Sequence, residues 1–506
     1  MPVRVVSAEE SAERDRAAID RGTPSRTLMQ RAGKGAADEI IRRFSDRLHS
    51  GVVVFTGPGN NGGDGWVVAG ELGRAGVRVG VVEAEEPRTP ETQAERAAAI
   101  ESVSFSGDIR AGGVAVDALL GTGFKGVPRG RIAESIATIN GLRSEGWSAA
   151  SLDVPSGLDA TTGESATAVT ADLTLSFGGV KRGTLLARDR CGEIVAIDIG
   201  LGESAQSDRL PELIDRAWID ARLPAMRYDS HKGERKHLAI VGGGKGMAGA
   251  AVLTTRAALR SGIGLARTAV ASENTGALIA ATPSALIVEW PSDQAAMKRD
   301  IGDWADAIVI GPGMGKSAET RKLLRLVLDS SRNPVLLDAD ALNLFAGDVT
   351  ELRDLLDGRP ALITPHAAEF ARLAGTDVKT VLAEKFDIGS PLATTLGATV
   401  LLKGSPTVIF SPTGSRFVSA RGTAALGTGG SGDVLAGIAG TILAQTGDPV
   451  TAAGAGAWIH GRAAELCAYV RGTTLEDVLY ALPRAWNEEE PPLVSPVIAR
   501  LPAVSQ

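Results

Sequence analysis

The stretch Gly427-Thr428-Gly429-Gly430-Ser431-Gly432-Asp433, followed by Val434-Leu435-Ala436-Gly437, constrains this chain more than any other. Four glycines fall within six positions, and Val434, Leu435, Ile438 and Ile442 then recur at helical spacing, so a glycine loop opens directly into a helix. Such a junction can bind an anion. Without Cβ atoms the backbone N–H groups can converge, and the positive end of the helix dipole adds to them, a combination that suits phosphate. Asp433 falls in the first turn, where it is either a favourable partner for the dipole or a base beside the bound anion.

The rest of the chain has to build sheets that carry such loops. With 506 residues it exceeds one ordinary core and implies two to four domains. Aromatics make up only 4% while glycine numbers 62, a composition for close helix-on-sheet packing, and the expected class is α/β. A net charge of −7 argues against a nucleic-acid partner, because no basic stripe is available to displace counterions. The longest apolar stretches fall short of the roughly 20 residues a membrane span needs. The opening residues contain no continuous apolar signal region, so a cytoplasmic protein is expected. Cys191 and Cys467, one in each half, suit reduced thiols better than a disulfide. None of the five histidines stands in a ligand-spaced cluster.

In the first half, the buried strand Gly51–Thr56 runs into Gly57-Pro58-Gly59-Asn60-Asn61-Gly62-Gly63-Asp64-Gly65, then a helix over 66–74 and a second strand over 77–82. Gly57, Gly59 and Gly62 satisfy the dinucleotide fingerprint formally. Pro58 counts against it, since it removes an N–H where pyrophosphate needs one. Asn60, Asn61 and Asp64 are polar side chains such a fingerprint does not require; they suggest oxygen ligands for a cation or hydrogen bonds to a polar substrate. Further strand ends follow: Asp117 before Gly121-Thr122-Gly123-Phe124-Lys125-Gly126-Val127, Asp153 before Ser156, and Phe177 before Lys181. In an open parallel sheet these carboxyl ends form one edge, where ligands bind. Asn61, Asp117, Asp153, Ser156 and Lys181 are therefore expected to share a crevice.

The motifs NNGGDG, DALLGTGF and DVPSGLD resemble the epimerase half of the bifunctional NAD(P)H-hydrate repair enzymes over about residues 5 to 205. The resemblance implies a Rossmann-like doubly wound domain and a potassium ion held by Asn61, Asp117 and Ser156. It also implies a hydrate pocket lined by Asn60–Asp64, Gly121–Val127 and Asp153. Epimerising the C6 carbinol of a nicotinamide hydrate means opening to an iminium-type species and re-adding water on the other face, which needs proton-transfer groups and no redox cofactor. Asp153 is the expected acid/base. Lys181 either tunes it or is a solvated charge.

The text turns polar and irregular between 204 and 228, and the boundary is placed there, giving domains 1–215 and 216–506. The second half is a regular α/β series. Its strand tips carry Gly242–Ala251, Gly311-Pro312-Gly313-Met314-Gly315, Asp338 with Asp340, Thr364-Pro365-His366 with Glu369, and Lys403-Gly404-Ser405-Pro406-Thr407. Gly244, Gly246 and Gly249 again match the dinucleotide pattern, which a glycine-rich α/β chain produces by chance. Gly311–Ser317 falls one residue short of a P-loop, so that reading is rejected. Taken singly, His366 is either a capped turn residue or a ligand contact, and Lys403 either a surface charge or part of a site.

The sequence GGSGDVLAG with Ile459-His460-Gly461 downstream resembles the ribokinase-like kinases. The order HKG, GPGMG, LDAD, TPH with EF, LKG and GGSGDVL resembles the ADP/ATP-dependent dehydratase domain of the same repair enzymes over about residues 225 to 485. Ala367-Ala368 stands where Pro-Gly is usual in that family, and Ser431 where threonine is common. The likeness implies a ribokinase-like α/β domain with Asp433 as base and a hydrate site at Ala250, Gly313, His366 and Asp433. The implied nucleotide site comprises Lys403–Thr407, Thr423 and Gly429, Gly430, Ser431 and Gly432. The expected ligands are NADH hydrate and NADPH hydrate, potassium in the first domain, and ADP or ATP with magnesium in the second, where Glu369 is the candidate support for the metal. A homo-oligomer is compatible with the sequence, but no pattern specifies subunit number. The alternatives are a small-molecule kinase with a fused regulatory domain and a non-catalytic binding protein.

Overall fold

The computed structural model describes residues 2–103, 112–203 and 207–504. The chain divides into two compact units, one made of residues up to 212 together with 491–504, the other of Leu213–Glu490.

In the first unit the strands Val52–Thr56, Val79–Glu83, Val114–Ala118, Ser148–Leu152, Leu173–Phe177 and Glu193–Ile197 all pair in parallel. Being covered on both faces, they read as near-continuous apolar runs. Val79–Glu83 lies on one side of Val52–Thr56 and Val114–Ala118 on the other, so strand order reverses between Val52–Thr56 and Val114–Ala118. That reversal opens the crevice in which doubly wound sheets bind ligands.

Two features differ from the sequence reading. The helix expected over 66–74 begins at Asn60, inside the glycine run, and continues to Arg74. The glycines there permit close approach rather than forming a loop: a Cβ on Gly62 would lie 1.9 Å from the Gly57 carbonyl oxygen, and one on Gly65 2.4 Å from the Ala118 Cβ. The second difference is a correction to the 216–506 assignment. Val497–Leu501 pairs antiparallel with Glu193–Ile197 and completes the edge of the first unit's sheet. The polar join begins at Ser204, which with 205 and 206 lies outside the described residues.

The second unit repeats the logic. Leu286–Glu289, Leu265–Val270, His237–Val241, Ala307–Ile310, Val335–Leu337, Ala361–Ile363 and Thr399–Leu402 lie in that order and in parallel. Thr407–Phe410 and Arg416–Ser419 extend the sheet antiparallel. Here strand order reverses between His237–Val241 and Ala307–Ile310, which places the 242–250 and 311–315 loops side by side. The core gathers Leu238, Ile240, Val309, Leu336 and Leu401 of the sheet with Val434, Ile438 and Ile442 of the helix after the glycine loop. The apolar spacing after Asp433 is thus core packing as well as a helix signal.

Candidate functional sites

A cleft of about 640 Å³ opens at the reversal in the first sheet. Asn60, Asn61 and Asp64 line it from the helix start, Gly121, Thr122, Gly123 and Phe124 from the loop after Val114–Ala118, and Asp153 and Lys181 from the next strand ends. Gly62 and Gly63 are buried behind the lining, Gly63 against the Met29 side chain. Lys125, Gly126 and Val127 are exposed and outside the lining.

Lys181 is 1% exposed, so the solvated-charge alternative fails. Its ammonium donates to the Asp153 carboxylate and to the Phe177 carbonyl, the latter at 2.7 Å. Asp153 itself sits at φ +65°, left-handed backbone that aspartate tolerates better than most side chains but that stores strain at a strand tip. The lysine thus fixes the carboxylate on a backbone that is itself constrained.

Asp117 and Ser156 lie fully buried beneath the cleft. One Asp117 oxygen accepts from Ser151 Oγ and from the Ser156 N–H, each at 2.8 Å, and the other accepts from Ser156 Oγ at 2.5 Å. Burial raises the Asp117 pKa and these hydrogen bonds oppose the shift. Asn61 donates to the Leu120 carbonyl at 3.0 Å, while its Oδ1 is buried without a partner.

Asp15, on the helix Ala8–Asp20, also lines the cleft, and sequence reasoning missed it because a charge in a polar helix reads as surface. Burial raises the pKa of Asp15 and carries that of Asp64 well above the carboxylate range, with the Asp153 charge adding to both. The cleft therefore offers carboxyl groups poised to carry protons, held around one ammonium.

In the second unit the glycine loop opens directly into a helix, as read. Gly430 caps the helix Ser431–Thr446 at φ +94°, and Asp433 lies in its first turn. The Ser431 N–H donates to the Thr428 carbonyl at 3.2 Å and the Asp433 N–H to the Gly430 carbonyl at 3.0 Å, while the Gly429, Gly430 and Gly432 N–H groups meet no acceptor among the described residues and are left for an anion. Desolvation foremost, then the Asp338 charge, pushes the Asp433 pKa up to about 7, which suits a base working near neutrality. Lys403 is no surface charge: its ammonium binds Asp338 Oδ1 at 2.8 Å, and Asp338 accepts a second bond from Thr364 Oγ1 at 2.8 Å. The acid tip is strained, with Ala339 at φ +50° between Asp338 and Asp340. Asp340 reaches across to accept from the Gly315 N–H at 2.9 Å, tying this tip to the 311–315 loop. Gly313 meets Ala250 so closely that a Cβ on it would lie 2.8 Å from the Ala250 Cβ.

His366 does what a capped turn histidine does. Its Nδ1 accepts from the Ala368 and Glu369 N–H groups, and Glu369 Oε2 accepts from the His366 N–H at 2.9 Å, closing a capping box. This box anchors the helix that Ala367 and Ala368 begin. Glu369, expected to support magnesium, is buried at 6% exposure, with its carboxylate engaged by that cap and by Lys403 Nζ at 3.7 Å. Among the described residues no group of three His, Cys, Asp or Glu is placed to hold a metal. Thr423 Oγ1 accepts from the Ala425 N–H, shaping the turn before the glycine loop. His460 is buried beyond, its Nε2 without a partner and its pKa lowered to about 4 by burial, so it is neutral.

Comparisons with known proteins agree with this division. A family model described as NAD(P)H-hydrate dehydratase matches residues 238–484, and one described as YjeF-related protein N-terminus matches residues 25–183. The bifunctional NAD(P)H-hydrate repair enzyme Nnr of Escherichia coli K12 is 35% identical over 91% of this chain and 90% of its own length. Its namesake from Moorella thermoacetica is 33% identical over 92% and 93%. Among solved structures, an ADP/ATP-dependent NAD(P)H-hydrate dehydratase from Bacillus subtilis, co-crystallised with ATP/Mg2+, is 27% identical and covers 54% of this chain and 96% of its own, with a TM-score of 0.47. Identity at this level along nearly the whole chain, with one model falling in each unit, places the protein: it belongs to the family of bifunctional NAD(P)H-hydrate repair enzymes.

Proposed function

We propose that the chain restores hydrated nicotinamide dinucleotides in two reactions, one in each unit. The first interconverts the R and S forms of NADH hydrate or NADPH hydrate. The second dehydrates the S form at the expense of ADP or ATP. The observation that carries this reading is Asp433, a carboxylate with its pKa near 7 in the first turn of a glycine-capped helix, beside the Asp338–Lys403 pair.

In the first cleft, Asp153 moves the proton. Asp64, whose carboxyl burial keeps protonated, gives its proton to the departing C6 hydroxyl, the ring nitrogen lone pair opens the C6–O bond as water leaves, and the Asp153 carboxylate takes the proton of the water that re-adds to the other face and returns it to Asp64. Lys181 holds the Asp153 carboxylate in place. Asn60 and the 121–124 loop supply polar and backbone contacts for the carboxamide and sugar. A potassium ion fits the oxygen donors beneath: the unpartnered Asn61 Oδ1, the Asp117 carboxylate and Ser156 Oγ are the hard oxygen ligands such an ion takes. Bound there, it would supply positive charge that steadies the loop and offsets the buried Asp117.

In the second cleft, Asp433 removes the proton of the C6 hydroxyl, whose oxygen attacks the terminal phosphorus of the nucleotide while the bond to the leaving nucleotide breaks. The N–H groups of Gly429–Gly432 hold the transferring phosphoryl group. Phosphate is a better leaving group than hydroxide. The ring nitrogen lone pair expels it, and loss of the C5 proton restores the dihydronicotinamide. Ala250, Gly313 and His366 shape the hydrate pocket, and Lys403–Thr407 with Thr423 hold the nucleotide. Magnesium would travel with the nucleotide, bound to its phosphates and water and neutralising them beside the acids, with Glu369 the candidate protein group to support it. Composition supports action in the cytoplasm; among the described residues no helix is long and apolar enough to cross a membrane.

The test is to supply purified S hydrate with ADP or ATP and magnesium, and to follow the near-ultraviolet absorbance of the dihydronicotinamide together with phosphate release. Regained absorbance with equimolar phosphate supports the dehydratase. A stable phosphoester without regained absorbance supports the small-molecule kinase.

A further inference from the structure

One buried charge near the nucleotide loop has no role in the chemistry above. Lys385 lies between the helices Val378–Ala383 and Gly389–Leu396 and is 4% exposed. Its Nζ approaches the exposed residue Gly404, where an added Cβ would come within 2.4 Å of it. Gly404 sits at φ +147°, so neither its backbone nor its surroundings accommodate a side chain. The acids beside Lys385 in sequence do not serve it: Glu384 is exposed, and Asp387 pairs with Arg416. Among the described residues, the structure assigns Lys385 no carboxylate within ion-pair distance and no hydrogen-bond acceptor.

An amine in that position is unusual. Lysine is almost never fully buried unless paired, because a desolvated ammonium without a counter-ion is costly. Burial acting alone lowers its pKa to about 8, which leaves it mostly protonated at neutral pH. What stands over it is the Lys403–Thr407 loop, already read as the place where the nucleotide docks. We propose that Lys385 is a further anion-binding residue of the second cleft, and that its missing counter-ion is a phosphate of the bound ADP or ATP. This rests on the nucleotide reading of that loop and adds a residue to it. Gly404 then has a specific purpose: the absence of a side chain keeps the way open between the ammonium and the phosphate.

The alternative is that Lys385 only props up the loop, and the two ideas separate by ligand. Binding of ADP with magnesium, and of adenosine, is measured calorimetrically on the full chain for wild type, Lys385→Met and Lys385→Arg. Loss of a charge-assisted contact predicts ADP affinity about ten- to a hundredfold weaker in Lys385→Met, adenosine affinity unchanged, and most ADP affinity kept in Lys385→Arg. If Lys385→Met does not fold, Lys385→Gln, which keeps a polar tip and removes the charge, should show the same selective loss of ADP affinity. Equal weakening for ADP and adenosine, or unchanged ADP affinity, overturns the proposal. A wild-type chain that binds no ADP removes the nucleotide reading itself, a failure visible before any variant is made.

Discussion

Replacing Asp433 with asparagine should make the second unit both inactive and more stable, and the size of each effect follows from one number. The carboxyl pKa is moved from 3.8 to about 7, first by desolvation and then by Asp338. Between those values the folded chain holds a proton at Asp433 that the unfolded chain has lost. Stability therefore falls as pH rises through this window; the penalty is absent below about pH 4 and complete above about pH 7. The displacement corresponds to at most about 4 kcal/mol, reduced by the partial solvent contact of the side chain. The uncharged amide of Asp433→Asn carries no such penalty. Thermal denaturation should show the variant's second-unit transition several degrees above wild type at pH 8 and level with it near pH 4. Activity moves the other way. Dehydration of S hydrate should drop about 10²- to 10⁴-fold in the variant, and in wild type it should fall about tenfold between pH 8 and pH 6 as the base is protonated. A wild-type rate that is flat over that range, or a variant that is active or less stable at pH 8, would refute the reasoning.

Three further outcomes are expected. Lys181→Met leaves the Asp153 carboxylate without its buried partner; a cost of about 3–5 kcal/mol in the first unit, read by calorimetry, should accompany loss of hydrate interconversion while dehydration persists. Gly62→Ala forces a methyl to within 1.9 Å of the Gly57 carbonyl oxygen, and should destabilise the first unit by about 1–3 kcal/mol and raise KM for the R hydrate. Deleting 491–506 removes the strand Val497–Leu501 and the Asp198 N–H bond to the Pro496 carbonyl at 2.8 Å, so the first unit's thermal transition should fall while the rate of S hydrate dehydration stays within twofold or so of wild type.

The parts of this molecule that sequence discloses are those whose chemistry is local. The glycine run before Asp433 specifies its own turn and helix start within a few residues, and acids after apolar runs mark strand tips because parallel strands are buried along their length. What sequence hides depends on partners far along the chain. Lys181 could not be told from a surface charge until the fold brought Asp153 to it. Val497–Leu501 is placed with residues 216–506 in sequence because its partner Glu193–Ile197 lies in the first half of the chain. Asn60–Gly65 reads as a loop because glycine favours turns, and only the approach of Gly57 and Ala118 explains why a helix uses it. Asp15 and Lys385 carry no signal at all: each sits in a polar segment and acquires its meaning from burial. Glu369 shows the converse, a residue whose motif position suggests a metal and whose hydrogen bonds belong to a helix cap.

The most direct measurement gives the full chain pure R hydrate with magnesium, potassium and ADP or ATP, and follows return of the reduced dinucleotide in wild type, Asp153→Asn and Asp433→Asn. Wild type should return it; Asp153→Asn should act on S hydrate yet leave R hydrate untouched; Asp433→Asn should scramble R and S without returning any reduced dinucleotide. If either single substitution abolishes both reactions in a folded chain, or wild type regenerates nothing with either nucleotide, two independent catalytic clefts on one polypeptide is the wrong description.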